Sequence, residues 1–297
     1  MVTSPWNDLD RPPLRAGALE RALVQPGGLW TSVRVVAETG STNSDLAAEA
    51  ASGAPGGAVL IAEEQTAGRG RLDRAWSAPA RSGLFVSVLL RPGLKDATGG
   101  GEVPRRHWSW LPLLVGVAAG ASLSRAAGVE LSLKWPNDLL VTVDGEERKV
   151  GGILAELSGD GGEGDAVIVG IGLNVSLRAE ELPVPGAGSL ALAGASVTDR
   201  ETLVRTLLRV FAELYEDWCS VGGDPEASGL RAAYAAQCAT IGRQVRVELP
   251  GGHELLGEAV AVDAGGRLVV RTAEGTEQPV GAGDVVHVRP GAGPLQG

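Results

Sequence analysis

Cysteine and histidine are scarce in this 297-residue chain, and their scarcity limits the chemistry that it can carry. The two cysteines, Cys219 and Cys238, do not form a CxxC pair. A disulfide framework or a thiolate zinc site is therefore not expected. The three histidines, His107, His253 and His287, are far apart and lack the HExxH or HxxxH spacing of a metal-dependent hydrolase. These patterns argue against metal-hydroxide hydrolysis.

Long apolar runs and an excess of positive charge are also missing. The longest apolar run, residues 111–123, is too short to span a bilayer and contains two glycines. The first thirteen residues carry two aspartates and lack the apolar core of a signal peptide. The net charge of −10 disfavours a general nucleic-acid or anionic-membrane surface, although it is compatible with a local basic pocket. We therefore expect a cytoplasmic protein with no membrane contact and no specific DNA binding.

The distribution of apolar residues predicts an α+β protein. Turns such as Asp144-Gly145 join several short strands, so the main sheet should be mixed and largely antiparallel rather than doubly wound. From residue 241 onward, short strands alternate with glycine-rich turns, which is typical of a small β-barrel. The expected units are an N-terminal extension (1–30), a main domain (31–238) and a barrel domain (239–297). The predicted helices cover residues 13–24, 43–51, 107–127, 198–219 and 225–238, and the predicted strands cover 31–37, 58–62, 83–90, 131–135, 139–143, 152–157, 166–171, 245–249, 255–262, 268–271 and 285–288.

A polar loop at residues 64–81 is the strongest candidate for a ligand site. Its run QTAGRGRLDRAW places three arginines among glycines. Gly68 and Gly70 allow the backbone to approach a ligand closely. Arg69 and Arg71 supply planar guanidinium groups suited to carboxylate and phosphate oxygens. The run lacks the GxxxxGK[ST] spacing of a P-loop, and the alternative is a flexible surface turn with solvated arginines.

Two lysine-containing segments are further candidates. In KWPND, Lys134 and Asp138 bracket a turn that needs no function, because asparagine and aspartate bond to their own backbone. Asp138 is also suited to Mg²⁺, which is usually held by one or two carboxylates plus substrate phosphate. In KVGGIL, Lys149 precedes paired glycines at the start of an apolar strand. It is either an exposed hairpin lysine or a lysine held beside an anion.

Two glycine-containing segments complete the set. GIGLN, residues 170–174, ends a predicted buried strand and is either a tight bend or a site where Asn174 contacts a base or ribose. It is not a dinucleotide-binding fingerprint, because no helix follows it directly. GSTN, residues 40–43, is suited to capping a helix. Its remaining hydroxyl and amide groups could also bind a neutral polar ligand group.

The five motifs together carry more information than any one of them. GSTN, EEQTAGRGR followed by Trp76, KWPND, KxGGIL and GIGLN, in this order, closely resemble the catalytic domain of biotin–protein ligases. The resemblance covers about residues 38–175 by motif, and the remainder is similar to the family's SH3-like C-terminal domain. It implies a class II synthetase-like catalytic domain that uses ATP and biotin to form biotinyl-5′-AMP and releases pyrophosphate. Biotin would then pass to a lysine of the biotin carrier domain of an acetyl-CoA, acyl-CoA or pyruvate carboxylase.

The resemblance also implies roles for individual residues. Catalytic roles fall on Arg69, Arg71 and Lys149. The expected biotin contacts are Ser41, Thr42, Asn43, Gln65, Gly68, Arg69, Gly70, Arg71, Lys149 and Gly152. The expected ATP contacts are Arg71, Trp76, Lys134, Asn137 and Asn174, with Asp138 as the Mg²⁺ ligand. Cations suit this chemistry, because attack of a carboxylate on the α-phosphorus brings two anions together.

Two departures and two alternatives accompany this assignment. Asp73 stands where the family often has glycine. About thirty residues precede the first predicted strand, too few for the winged helix of some members, so we expect a ligase that is not a repressor, as a monomer or homodimer. A lipoate- or octanoate–protein ligase of the same fold is the nearest alternative, and the GRGR and KWPND motifs disfavour it. A non-catalytic biotin-sensing regulator is the other, and intact Arg69, Arg71 and Lys149 disfavour it.

Overall fold

The computed structural model describes residues 11–94, 102–159, 162, 164–249, 251–281 and 283–288, without the side chain of Asp73. The first ten residues of the expected N-terminal extension and the last nine of the barrel domain lie outside this range. The α-helices are α1 (Ala16–Leu23), α2 (Thr42–Ala51), α3 (Leu111–Ala127), α4 (Arg200–Ser220) and α5 (Leu230–Gln237). The strands are β1 (Ser32–Val36), β2 (Ala58–Ala62), β3 (Gly83–Leu90), β4 (Ser132–Lys134), β5 (Asp138–Val143), β6 (Glu146–Ser158), β7 (Ala166–Asn174), β8 (Gln244–Glu248), β9 (Glu254–Val262), β10 (Leu268–Arg271), β11 (Glu277–Val280) and β12 (Asp284–His287).

The main domain is built on one seven-stranded sheet with the order β1-β2-β3-β7-β6-β5-β4. Among the described strands, β1 and β2 pair in parallel, and each of the other neighbouring pairs is antiparallel. The prediction of a mixed, largely antiparallel sheet is therefore confirmed. The turn that joins β5 to β6 has positive φ at Asp144 (51°) and Gly145 (77°), as a two-residue hairpin requires.

Helices cover the two faces of this sheet unequally. Helix α3 packs on one face with α4 behind it, and 12 of the 17 residues of α3 are buried. Of the described helices, the stretch Arg105–Ala127 alone is long and apolar enough to cross a membrane, but most of it lies inside this core. On the other face, α2 packs mainly on β3 and β7 and also contacts β2 and β6, and it forms a smaller apolar cluster with β2, β3 and β7.

The alternation of side chains along β7 explains why α2 covers one part of this sheet face and leaves a cleft over the next part. Residues two apart point to the same face of a strand. Ala166 and Ile168 are buried against α2, and the next two positions on that face are Gly170 and Gly172. Glycines leave no side chain to fill the layer above the sheet. The cleft described below lies over them.

The C-terminal unit is a five-stranded antiparallel sheet with the order β11-β10-β9-β8-β12, in agreement with the predicted barrel. It packs tightly on the main domain. Trp110 Nε1 donates to the carbonyl of Ala264 (2.8 Å), and Trp135 Nε1 donates to the carbonyl of Gly266 (3.0 Å). Apolar residues of both units belong to one buried cluster.

Several predicted boundaries differ from those observed. The helices predicted at 13–24 and 225–238 are shorter, and the one predicted at 107–127 begins as the 3₁₀-helix Arg105–Trp110. Strand β6 begins at Glu146, six residues before its predicted start, because its polar first residues pair with β5. Strand β11, which carries Pro279 at a sheet edge, was not predicted.

Candidate functional site

A cleft of about 1480 Å³ lies over the open part of the sheet, and all five motifs contribute to its wall. The predicted site residues that line it are Ser41, Thr42, Asn43, Gln65, Arg69, Gly70, Arg71, Trp76, Lys134, Asn137, Asp138, Lys149, Gly152 and Asn174. Gly68, also predicted as a biotin contact, is buried within the loop and is not one of the residues that line the cleft. A Cβ at Gly68 would lie 2.4 Å from the carbonyl oxygen of Trp76, so the loop requires glycine there.

One end of the cleft is polar and uncharged. Ser41 caps α2, and both the amide and the hydroxyl of Thr42 donate to Gln65 Oε1, at 2.9 and 3.0 Å. Ser87 Oγ lies 2.6 Å from Thr42 Oγ1 and 2.6 Å from Asn43 Oδ1. These side chains present neutral donors and acceptors, which suit a neutral polar ligand group. Sequence reasoning missed Ser87, although a serine among the apolar residues of a buried strand was an available signal.

Three glycines lie at the floor of the cleft, and at two of them, Gly170 and Gly172, a side chain would collide with a neighbour. A Cβ at Gly170 would lie 2.3 Å from Asn43 Oδ1, and one at Gly172 would lie 2.7 Å from the indole of Trp76. A Cβ at Gly152 would lie 3.6 Å from the same ring. Trp76 therefore lies across the glycines of β6 and β7. Its Nε1 is buried, and no described residue forms a hydrogen bond with it.

The opposite end of the cleft carries the cations. Lys149 Nζ lies 2.5 Å from Asp138 Oδ1 and 5.7 Å from the centre of the Trp76 ring. Arg71 Nη1 makes two long hydrogen bonds, 3.4 Å each, to Asn137 Oδ1 and to the carbonyl of Gly283. Burial lowers the pKa of Arg71, while the nearby carboxylates, Asp138 among them, oppose that shift. Arg71 and Lys149 are thus positioned near the same carboxylate.

Arg69 faces a different part of the cleft. Its Nη2 donates to Glu156 Oε2 (2.8 Å), and the same oxygen accepts from Asn43 Nδ2 (2.8 Å). The guanidinium group of Arg69 therefore connects residues 64–81, here called the Gly/Arg loop, to β6 beside the neutral end of the cleft. Of the three residues predicted to be catalytic, the structure brings Arg71 and Lys149 to the charged end and places Arg69 on Glu156.

Asn174 and the barrel domain form the far wall. Asn174 Nδ2 donates to the carbonyl of Gly188 (3.0 Å), and its Oδ1 is buried without a hydrogen-bond partner among the described residues. The barrel contributes Arg243 and His287, which sequence reasoning did not include, because no local motif marks them.

His287 is held in its neutral form at the domain boundary. Burial and the nearby charges of Lys134 and Arg243 lower the pKa of His287 to about 4. Arg243 Nη1 lies 3.1 Å from Nδ1, and Thr240 Oγ1 lies 3.0 Å from Nε2. Arginine only donates, so Nδ1 accepts and Nε2–H donates to Thr240. Arg243 also pairs with Glu147 of β6 (2.6 Å).

The predicted Mg²⁺ ligand, Asp138, is a single carboxylate. In the described part of the chain, no three His, Cys, Asp or Glu side chains gather as a metal site. One carboxylate with substrate phosphates is, however, a usual donor set for Mg²⁺. Asp138 has Oδ1 on Lys149 and lies within the cleft, so it fits that role.

Comparisons with known proteins agree with this architecture. Residues 19–174 match the biotin/lipoate A/B protein ligase family, and residues 240–288 match the biotin protein ligase C-terminal domain. The biotin–[acetyl-CoA-carboxylase] ligase of Mycobacterium tuberculosis is 42% identical over 94% of this chain and 97% of its own, and that of Paracoccus denitrificans is 33% identical over 82% and 95%. The structure of biotin protein ligase from Aquifex aeolicus in complex with biotin and ATP aligns with a TM-score of 0.69 and 26% identity, covering 87% of this chain and 100% of that chain. The chain therefore belongs to the biotin–protein ligases of the biotin/lipoate A/B protein ligase family.

Proposed function

We propose that this protein joins biotin and ATP into biotinyl-5′-AMP and then transfers the biotinyl group to a lysine of a biotin carrier domain. The observation that carries the proposal is the division of one cleft into a neutral polar end and a cationic end. Biotin has a neutral urea-type ring at one end and a carboxylate at the other. The names of the relatives in Mycobacterium tuberculosis and Paracoccus denitrificans support the same activity.

The neutral end is proposed to bind the ureido ring. That ring has two N–H donors and one carbonyl acceptor, so it needs paired acceptors and donors and no net charge. Thr42, Asn43 and Gln65 offer such groups, and Ser87 orients two of them from behind. A charged ligand would lose hydration there, and the nearest ions, Arg69 and Glu156, already pair with each other. This end therefore selects the ring rather than the carboxylate.

The cationic end is proposed to carry the first chemical step. A carboxylate oxygen of biotin attacks the α-phosphorus, a new O–P bond forms, and the bond to the leaving pyrophosphate breaks. Arg71 and Lys149 offset the repulsion between the two anions and the charge of the transition state. Lys149 pairs with Asp138 (2.5 Å), so incoming anions compete with this carboxylate for it. Mg²⁺, when bound to the phosphates, supplies further charge neutralisation, and Asp138 would hold it.

The far wall is proposed to bind the nucleotide. Within the described part of the chain, Trp76 and Asn174 each have a buried polar atom without a partner, which suits a ligand that supplies the missing hydrogen bond. Lys134 and Asn137 line the same cleft and are suited to phosphate oxygens. Residues 64–81 would close over the adenylate, because a mixed anhydride is labile in water.

In the second step the carrier lysine attacks as a neutral amine. An amide bond forms at the biotinyl carbonyl, and AMP leaves with the electrons of the C–O bond. Acetyl-CoA carboxylase is the proposed source of the carrier domain, in line with the names of the two relatives. We further propose that the protein works in the cytoplasm and does not bind DNA specifically, since its net charge is −10.

The first half-reaction tests the proposal without any carrier. The protein is incubated with ATP, Mg²⁺ and labelled pyrophosphate, and label entering ATP is measured with and without biotin. We expect exchange that depends on biotin and is not supported by lipoate or octanoate. Exchange with lipoate but not biotin would identify the lipoate ligase alternative. Binding of biotin without exchange would identify the non-catalytic sensor.

A further inference from the structure

Residues 11–15, here called the N-terminal strap, lie beside the starting residues of two segments that carry or support cleft residues. The Leu14 amide donates to Glu63 Oε1 (2.6 Å), and the Pro12 carbonyl accepts from Arg200 Nη2 (2.7 Å). These contacts join the strap to the end of β2 and to the start of α4. None of the proposed catalytic or binding roles uses the strap, so its contacts need another explanation.

The first segment held there is the Gly/Arg loop. Glu63 and Arg200 form an ion pair of 2.5 Å, and the two residues are only 6% and 5% exposed. Glu63 immediately precedes the loop, and its carbonyl accepts from the amide of Arg81 (2.8 Å) at the loop's other end. Arg200 also contacts the carbonyl of Gly83 (3.4 Å), where β3 begins. The buried pair therefore fixes both ends of the loop.

The second segment held by the strap follows β7. Arg11 binds Glu181 with both guanidinium nitrogens, at 2.5 and 3.1 Å, and donates to the carbonyl of Ser176 (2.9 Å). The Arg11 side chain is 15% exposed. A bidentate, partly buried pair has a defined geometry, unlike a solvated surface pair.

The continuation of this second segment reaches the cleft. The Gly186 carbonyl accepts from the Lys149 amide (2.9 Å), and the Gly188 amide donates to the Lys149 carbonyl (2.8 Å). The Gly188 carbonyl accepts from Asn174 Nδ2 (3.0 Å). Residues 176–188 therefore hold the backbone of Lys149 and orient the amide of Asn174. Arg11 anchors the start of this stretch.

We propose that Arg11 is a positioning residue for the nucleotide side of the cleft, acting through residues 176–188 on Lys149 and Asn174. The proposal rests on the proposed function, because it assumes that Asn174 faces ATP. Residues 176–188 hold only the backbone of Lys149, whose Nζ pairs with Asp138, so loss of Arg11 should act mainly through Asn174 and affect ATP more than biotin. A merely structural role would affect both substrates alike.

The test compares Arg11→Ala with Arg15→Ala in the full chain. Arg15 lies in the same strap and pairs with Glu201 (2.8 Å), but its side chain is 77% exposed and reaches neither segment. KM for ATP, KM for biotin and kcat are measured by pyrophosphate exchange, together with the melting temperature. Hydrogen–deuterium exchange of residues 176–188 is measured on the ligand-free variants.

We expect Arg11→Ala to raise KM for ATP about three- to tenfold, as loss of a charged hydrogen-bonded pair commonly does. KM for biotin and the melting temperature should match those of Arg15→Ala. Hydrogen–deuterium exchange should accelerate in residues 176–188, and Arg11→Lys should restore part of the ATP affinity. Arg11→Ala behaving like Arg15→Ala would overturn the proposal, as would equal rises in both KM values. Failure of the proposed function is distinguishable, because wild type itself would then lack biotin-dependent exchange.

Discussion

Arg71 is partly buried in the cleft, yet its hydrogen bonds to Asn137 and Gly283 are long and go to neutral acceptors. A desolvated guanidinium group whose existing hydrogen bonds are long gains more interaction energy from a bound anion than a well-paired one does. We expect Arg71→Gln to reduce biotin-dependent pyrophosphate exchange at least about a hundredfold, because the charge opposes a transition-state anion. The melting temperature should stay within about 2 °C of wild type.

The control for this prediction is Arg34→Gln, which removes an arginine from an exposed pair with Glu49 outside the cleft. It should leave exchange unchanged. Equal losses of activity in the two variants, or a large fall in melting temperature for Arg71→Gln, would count against a role in the chemistry.

Gly170 offers a second test at the scale of one residue. Alanine there would place its Cβ 2.3 Å from Asn43 Oδ1, so Asn43 must move away from Ser87. We expect Gly170→Ala to weaken biotin binding more than about tenfold by calorimetry, since a buried polar group loses its partner. The matched variant is Gly40→Ala, where a Cβ meets nothing within 4 Å. Equal affinity of both variants for biotin would show that this network does not bind the ring.

Residue types could be predicted from the sequence better than residue partners. The motifs identified the arginines, Lys149 and Asn174 as cleft residues because their spacing is local. The pairing of Arg69 with Glu156 joins positions 87 residues apart, and no local pattern encodes it. Tertiary packing, and not spacing, decides which arginine lies at the cationic end of the cleft.

At the scale of elements, the buried pair of Glu63 and Arg200 connects β2, the loop and α4. Glu63→Gln would leave the Arg200 charge buried without its partner. We expect the free energy of unfolding to fall by about 3 kcal/mol or more in urea denaturation. Glu201→Gln, which breaks the exposed pair with Arg15, should change the midpoint little. Similar urea denaturation midpoints for both variants would mean that the buried pair does not fix the two ends of the Gly/Arg loop.

The predictability of each element follows from its burial. Strands β2 and β3 are buried at every position, and their predicted bounds are the observed ones. The first four residues of β6 are charged and exposed to half-buried, so hydrophobic pattern did not reveal them. Strand β11 is mostly exposed and contains proline, which disfavours a strand by composition although an edge position tolerates it.

At the scale of the whole molecule, His287 contacts Thr240 and Arg243 within the barrel, and Arg243 pairs with Glu147 of the main domain. The pKa of His287 is lowered from 6.5 to about 4 in the folded protein. Between these values the unfolded chain binds the proton and the folded chain does not. Stability should therefore fall as the pH decreases from 6.5 toward 4, with a slope of at most about 1.4 kcal/mol per pH unit from this group.

The measurement for this prediction is urea denaturation at several pH values between 4.5 and 7. His287→Gln should flatten the slope, whereas His253→Gln, at an exposed position, should leave it unchanged. An unchanged slope in His287→Gln would contradict a neutral, buried His287. The contribution of the barrel to the cleft could not be predicted from sequence, because it depends on how two separately recognised units pack.

Transfer of biotin to a carrier tests the central claim most directly. The protein is mixed with biotin, ATP, Mg²⁺ and an isolated biotin carrier domain, and the carrier is weighed by mass spectrometry. A carrier whose target lysine is replaced by arginine is the control. We predict a gain of one biotinyl group on the intact carrier and none on the control. No gain with biotin, or a gain with lipoate or octanoate in its place, would contradict the account.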